Sequence, residues 1–128
     1  MAEFTDFLEN KIIDHLLRNQ AYTPPATVYV ALFTTATTDA GGGTEVTGGS
    51  YARQAVTLTA ASGGASSNNA DITFPQATAD WGTVTHCALY DAVSGGNMLM
   101  HTALDAPKTV NNGDTFKFNQ NELDVTVD

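Results

Sequence analysis

Residues 82–104 read GTVTHCALYDAVSGGNMLMHTAL, and this stretch decides the fold. Thr83 to Tyr90 alternates with a period of two, Ser94-Gly-Gly-Asn97 supplies residues that tolerate left-handed backbone, and Met98 to Leu104 resumes the extended pattern. Two extended runs joined by such a turn predict an antiparallel hairpin. A symmetric turn places His101 opposite Tyr90, with His86 on the same face about 13 Å further along at the usual strand rise. At that separation the two imidazoles cannot share a metal. The same register sorts the hairpin into two faces. Cys87, Leu89, Val93, Met98, Met100 and Leu104 form the expected core face. Val84, His86, Ala88, Tyr90, Leu99, His101 and Ala103 form the other, which mixes apolar, aromatic and titratable groups. That composition suits a covered face, lying either under the N-terminal helix or against another subunit. His86, Tyr90 and His101 are therefore candidate interface residues.

Before the hairpin, MAEFTDFLENKIIDHLLRNQ (residues 1–20) spaces Phe4, Phe7, Leu8, Ile12 and Leu16 by three and four, with Ile13 and Leu17 widening the stripe. That is an amphipathic helix. Glu3, Asp6 and Glu9 lie near its start and His15 and Arg18 near its end, as the helix dipole favours. Asn19 and Thr23-Pro24-Pro25 stop it. The stripe carries more apolar surface than an isolated helix keeps in water, so it must dock on its own domain or on a neighbour. The spacing thus makes residues 1–22 a docking helix, with Phe4, Phe7, Leu8, Ile12 and Leu16 as candidate contacts, and residues 23–128 a single β-sandwich domain.

Strand signals fill the rest. Thr27 to Thr34 is apolar on both parities, so it is covered on both faces. Arg53–Thr59, Ala70–Phe74, Thr115–Phe118 and Leu123–Val127 also read as strands. DAGGGTEVTGGS at 39–50 has five glycines and no periodicity, which predicts a flexible surface loop, and SGGASSNN at 62–69 reads as a turn. Seven short strands with Gly- and Asn-rich turns predict a mainly β fold, an antiparallel β-sandwich of jelly-roll or Ig-like type, with one N-terminal amphipathic α-helix.

Composition excludes several functions. The chain has 128 residues, enough for one core. Its 14 acidic against 5 basic residues leave a net charge of −9, and tracking even six phosphates would need more cations than the chain owns. No nucleic-acid partner is expected. No apolar run reaches the roughly 20 residues of a membrane span, and Met1-Ala-Glu-Phe4 lacks a signal peptide's basic start and apolar core, so a soluble protein made in a cytoplasm, without membrane contact, is expected. The lone Cys87 can neither bridge internally nor build a thiolate metal site by itself.

The candidate chemistry is sparse. GGSYA at 48–52 superficially matches a nucleophile elbow, but Ser50 follows a glycine loop, precedes a strand and has Ala52 where the elbow needs glycine. The 39–50 loop lacks the Gly-Lys-Ser/Thr of a P-loop. Asp39, Glu45, Asp80, Asp91, Asp105 and Asp114 lie in or beside turns without calcium-loop spacing, which leaves only incidental calcium. Cys87 has no cationic sequence neighbour and reads as an inert thiol. Trp81, with Tyr51 or Tyr22, could offer a stacking platform for sugars. No catalytic set, cofactor or dedicated metal site is expected, so the chain reads as a non-enzyme.

Three segments carry a resemblance: FLENKIIDHLLRNQAYTPPATVYVALFT at 7–34, GTEVTGGSYARQAVT at 43–57, and WGTVTHCALYDAVSGGNMLMHTALDAPKTVNNGDTFKF at 81–118. Together they resemble the small tail-fibre-like proteins of tailed bacteriophages. The resemblance implies a virion structural protein, either tail-fibre-like or a capsid decoration (cement) protein, made in the host cytoplasm. It brings no catalytic residue. Its implied partners are other virion proteins, the major capsid protein or tail and neck proteins, and further copies of itself in a homo-oligomer. The helix with strand 27–34 would dock on a neighbour, the hairpin face would join copies, and the 39–50 and 62–69 loops would face outward. The alternative from the residues themselves is a carbohydrate-binding β-sandwich module on the virion surface, using Trp81 and Tyr51.

Overall fold

The computed structural model describes residues 3–127; Met1, Ala2 and Asp128 lie outside the described residues. In chain order the elements are β1 (Glu3–Phe4), α1 (Asp6–Leu17), β2 (Val28–Phe33), β3 (Gln54–Val56), β4 (Ala65–Ser67), β5 (Ile72–Thr73), β6 (Gly82–Tyr90), β7 (Met98–Val110), β8 (Lys117–Phe118) and β9 (Asp124–Thr126). The fold is mainly β and antiparallel with one helix near the N-terminus, as the sequence pattern predicts. A five-stranded sheet runs β1-β7-β6-β2-β3, and two ribbons, β4-β9 and β5-β8, complete the strands.

The ribbons cover one face of the sheet. Val30, Leu32, Val84, Cys87, Leu89, Leu99, Met100 and Val110 from the sheet share one buried cluster with Ile72, Phe74, Phe116, Phe118 and Leu123 from the ribbon side. The fully buried Asn68 joins the ribbons: its amide donates to the carbonyls of Ala70 and Asn119 at 2.8 Å each and accepts from the Leu123 amide at 2.9 Å. Such pairing offsets the cost of a buried amide.

Two expectations about local geometry need correction. The hairpin is offset from the symmetric register: Ala88, not Tyr90, faces His101, and His86 faces Ala103. Residues 91–97 close the hairpin instead of a four-residue turn, with the Asp91 carboxylate accepting the Asn97 amide at 2.7 Å. Bulges at Val84/His86 and Leu89/Tyr90 then exchange faces, so Val84 and Leu99 join the main core while Met98 packs with Tyr90 on the opposite side. His86 and His101 are thereby diagonal neighbours, about 7–8 Å apart by backbone geometry.

The apolar stripe of the first twenty residues is also divided. Phe4 lies in β1, paired with Met100, and the helix begins only at Asp6. Thr5 caps it, accepting from the Leu8 amide at 3.4 Å, while its buried hydroxyl donates to the Met98 carbonyl at 2.6 Å. One threonine therefore both starts the helix and fastens it to the hairpin. Asn19, at φ 56°, ends it in left-handed backbone.

Candidate assembly surface

The mixed face of the hairpin is covered by the chain's own loop. Ala31, Phe33, Ala88, Tyr90 and Met98 form a second buried cluster there. The segment after Phe33 folds back over it: the Thr34 amide donates to the Thr44 carbonyl, the Val46 amide to the Leu32 carbonyl, and Phe33 bridges Glu45. Gly43 lies so close that a Cβ there would come within 3.0 Å of the Phe33 ring. Residues 39–50 lie largely on the surface, as their glycine content suggests, but they are pinned against the hairpin sheet at Gly43, Thr44, Glu45 and Val46. Tyr90 and His101 are consequently buried and His86 half-buried, so these three do not offer an open interface.

Arg53 locks this cover. Its guanidinium donates from Nε and Nη2 to the two Glu45 carboxylate oxygens at 2.8 Å each, and from Nη1 to the carbonyls of Ala92 at 2.9 Å and Gly95 at 2.8 Å. Its carbon centre lies 3.7 Å from the Tyr90 ring centroid. The Tyr51 hydroxyl donates to Glu45 at 2.6 Å and accepts the Leu32 amide at 3.0 Å. One cation thereby ties together the loop, β3 and the hairpin tip, using the planar fork that lysine lacks.

Burial works against the Glu45 carboxylate, but hydrogen bonds from Arg53 and Tyr51 and the Arg53 charge outweigh it and hold its pKa below the ordinary 4.5. A carboxyl depressed by folding stabilises the protein fully above about pH 4.5, and that contribution fades as pH falls through the folded value. The stability difference between wild type and Glu45→Gln should therefore shrink steadily below about pH 4.5. Urea midpoints across pH would show it; a difference independent of pH would contradict the assignment.

Trp81 and Tyr51 are not a sugar platform. Trp81 is 6% exposed, its indole donates to the Gly49 carbonyl at 2.9 Å, and it meets Tyr51 edge-on at 5.4 Å between centroids. Gly49, at φ 56°, has no room for a side chain: a Cβ would lie 2.9 Å from the indole nitrogen. The GGS run is a cradle for tryptophan, and Ser50 turns its hydroxyl to Thr78 at 3.0 Å. Cys87 is buried, which pushes its thiol up to about 12; it stays protonated and unreactive.

Open apolar surface lies on the helix. Phe4, Phe7 and Leu8 pack against the main core, and Ile12 is half-buried. One turn further, Leu16 is 70% and Leu17 79% exposed, with Ile13 beside them at 50%. Sequence spacing groups Leu16 with Phe4, Phe7, Leu8 and Ile12 as docking contacts; the domain itself packs Phe4, Phe7 and Leu8 and leaves Leu16 exposed. Arg18 pairs with Asp14 at 2.9 Å next to this tip.

Among the described residues no helix is long and apolar enough to cross a membrane. No curated protein matches the chain. A family model described as Podophage GP4 fiber I protein gp80 matches residues 3–126, a span that includes the helix, the Arg53 lock and both ribbons. The chain therefore belongs to this family of phage fibre proteins.

Proposed function

We propose that this chain is a non-enzymatic fibre component that attaches to a neighbouring virion protein through the end of α1. The observation that carries the reading is the division of the helix: Phe7 and Leu8 are held by the domain, while Ile13, Leu16 and Leu17 project into solvent. Exposed leucines of this kind ordinarily have a partner, since each fully buried one is worth about 1.5–3 kcal/mol. The family description supports a fibre location over capsid decoration.

The double variant Leu16→Asp/Leu17→Asp tests the attachment. Both side chains are exposed, so its melting temperature should stay near that of wild type while its incorporation into particles falls at least about tenfold, the equivalent of 1.4 kcal/mol. Wild-type incorporation of a folded variant would sink the proposal. Copy number per virion, measured against the major capsid protein, separates a fibre component, present in few copies, from a decoration protein present in hundreds.

A further inference from the structure

We infer that Glu3, Asp39 and His101 form a divalent transition-metal site, best suited to Zn2+, that bolts the N-terminal segment and the covering loop to the hairpin. The three residues come from separate parts of the chain. Glu3 lies in β1 directly across from His101 in β7, and Asp39 arrives from the loop, its backbone carbonyl fixed by the Asp6 amide at 2.9 Å. One ligand atom from each lies within 4.8 Å of the others.

The spacing fits a tetrahedral ion. Two ligand atoms each 2.0–2.1 Å from Zn2+ must stand about 3.3 Å apart. His101 Nε2 is 2.8 Å from an Asp39 oxygen and 3.9 Å from a Glu3 oxygen, so about half an ångström of movement at each carboxylate brings both to that distance from the imidazole, and the two carboxylate oxygens, within 4.8 Å of each other, must also close toward it. Both carboxylates are more than half exposed, which leaves room for a small rotation about their side-chain bonds, whereas the imidazole is 6% exposed and held in place. Its Nδ1 is 2.8 Å from the buried Thr37 hydroxyl. That hydroxyl can donate or accept. With Nε2 protonated and donating to Asp39, Thr37 donates to Nδ1; on metal binding the proton passes to Nδ1, the hydroxyl turns to accept it, and Nε2 gains the lone pair a metal needs. An outer partner of this sort orients many metal-bound imidazoles. One imidazole with two carboxylates leaves a fourth position for water, and imidazole selects for zinc over calcium or magnesium.

The local charge points the same way. Asp6 and Glu9 bring two further carboxylates within 4.8 Å of Asp39. Among the described residues no lysine or arginine pairs with any of these four: Arg18 pairs with Asp14, Arg53 with Glu45 and Lys117 with Asp71, while Lys11 lies over the Phe7 ring and Lys108 over the Phe116 ring. Acidic groups converging around a buried imidazole give a cation a favourable place that the protein's own bases do not fill.

Titrating the chelator-stripped full chain with zinc chloride by calorimetry at neutral pH tests the site. One Zn2+ should bind per chain and raise the melting temperature, as any ligand of the folded state does. Asp39→Asn keeps the acceptor for Nε2 and therefore the fold; it should weaken binding at least tenfold, as should His101→Ala. Thr37→Val should weaken it about tenfold through the imidazole's orientation. His15→Ala and His86→Ala should leave binding unchanged. No binding at about 100-fold excess metal would overturn the inference. Binding that ignores Asp39→Asn, or that is lost with His15 or His86, would mean an adventitious ion only and would overturn it equally.

Discussion

Phe74→Ala should cost about 3–5 kcal/mol, the range for emptying a buried phenylalanine site. Phe74 is 1% exposed and stands at the centre of the aromatic cluster: Tyr51 stacks on it at 6.1 Å, Trp81 meets it edge-on at 6.4 Å, Phe116 at 5.6 Å, and Phe118 is tilted at 6.5 Å. These rings come from β8, from the strand-edge residues beside it and from the tryptophan cradle, so they cannot all close on the void at once. A domain stability of about 5–15 kcal/mol leaves little after such a loss. The melting temperature should fall by roughly 10–20 °C for a domain this size. Phe74→Leu, which fills part of the space, should lose distinctly less. Chemical denaturation of the three proteins measures it, and a loss below about 1 kcal/mol for alanine would show that the ribbons do not depend on this contact.

Why some of this architecture was readable and some was not follows from where each element gets its order. β3, β5, β8 and β9 lie in stretches whose apolar residues alternate with polar ones, while β2 and the inner parts of the hairpin strands show as apolar runs that are buried on both faces. β1 and β4 show neither pattern: Glu3–Phe4 is too short for a period, and Ala65–Ser67 has no large apolar residue. Both are held by backbone pairing to partners remote in sequence, Met100 and His101 for β1 and Asp124 to Thr126 for β4. The hairpin register failed for a related reason. A tight turn fixes register only when no residue bulges, and two bulges moved Val84, Met98 and Leu99 to faces that simple alternation assigns to their neighbours.

The loop at 39–50 is the most instructive case. Glycine content signals backbone freedom, which here serves close approach, to Phe33 at Gly43 and to Trp81 at Gly49. What immobilises the loop is a set of polar contacts with no local signature: Asp39 to His101, Glu45 to Arg53, and Tyr51 to Glu45. Once the loop covers the hairpin, the candidate interface residues Tyr90 and His101 become interior; among the described residues the open large apolar side chains are the helix-tip group Ile13, Leu16 and Leu17 and the separate Val93 and Val127, and Val93 thus lies outside the core face that alternation assigns it. Spacing alone places Leu16 on the same apolar stripe as Phe7. That Leu16 and not Phe7 remains open depends on Thr5 fastening the start of the helix to Met98, which only the folded chain shows.

Arg53→Ala should destabilise the protein by about 3 kcal/mol, the lower end of the range for breaking a largely buried ion pair by removing one partner. The Arg53 side chain is 8% exposed and that of Glu45 23%. Alanine removes both arms of the fork on Glu45, frees the carbonyls of Ala92 and Gly95, and uncovers the Tyr90 ring. Glu45 would keep only the Tyr51 hydroxyl as a partner in a half-buried place. Arg53→Lys should recover less than half of the loss, because an ammonium cannot bridge two carboxylate oxygens and two carbonyls at once. The damage should be local as well as global: hydrogen exchange should quicken in residues 39–46 and 91–97, the two segments the guanidinium joins, before it changes in the ribbons. In Glu45→Gln, where the fork has lost its counter-charge, Arg53→Ala should cost distinctly less, and the double-mutant cycle would return a coupling of about 1–3 kcal/mol. A cycle that sums to zero would mean that the two residues act independently, and the lock on the loop would have to lie elsewhere.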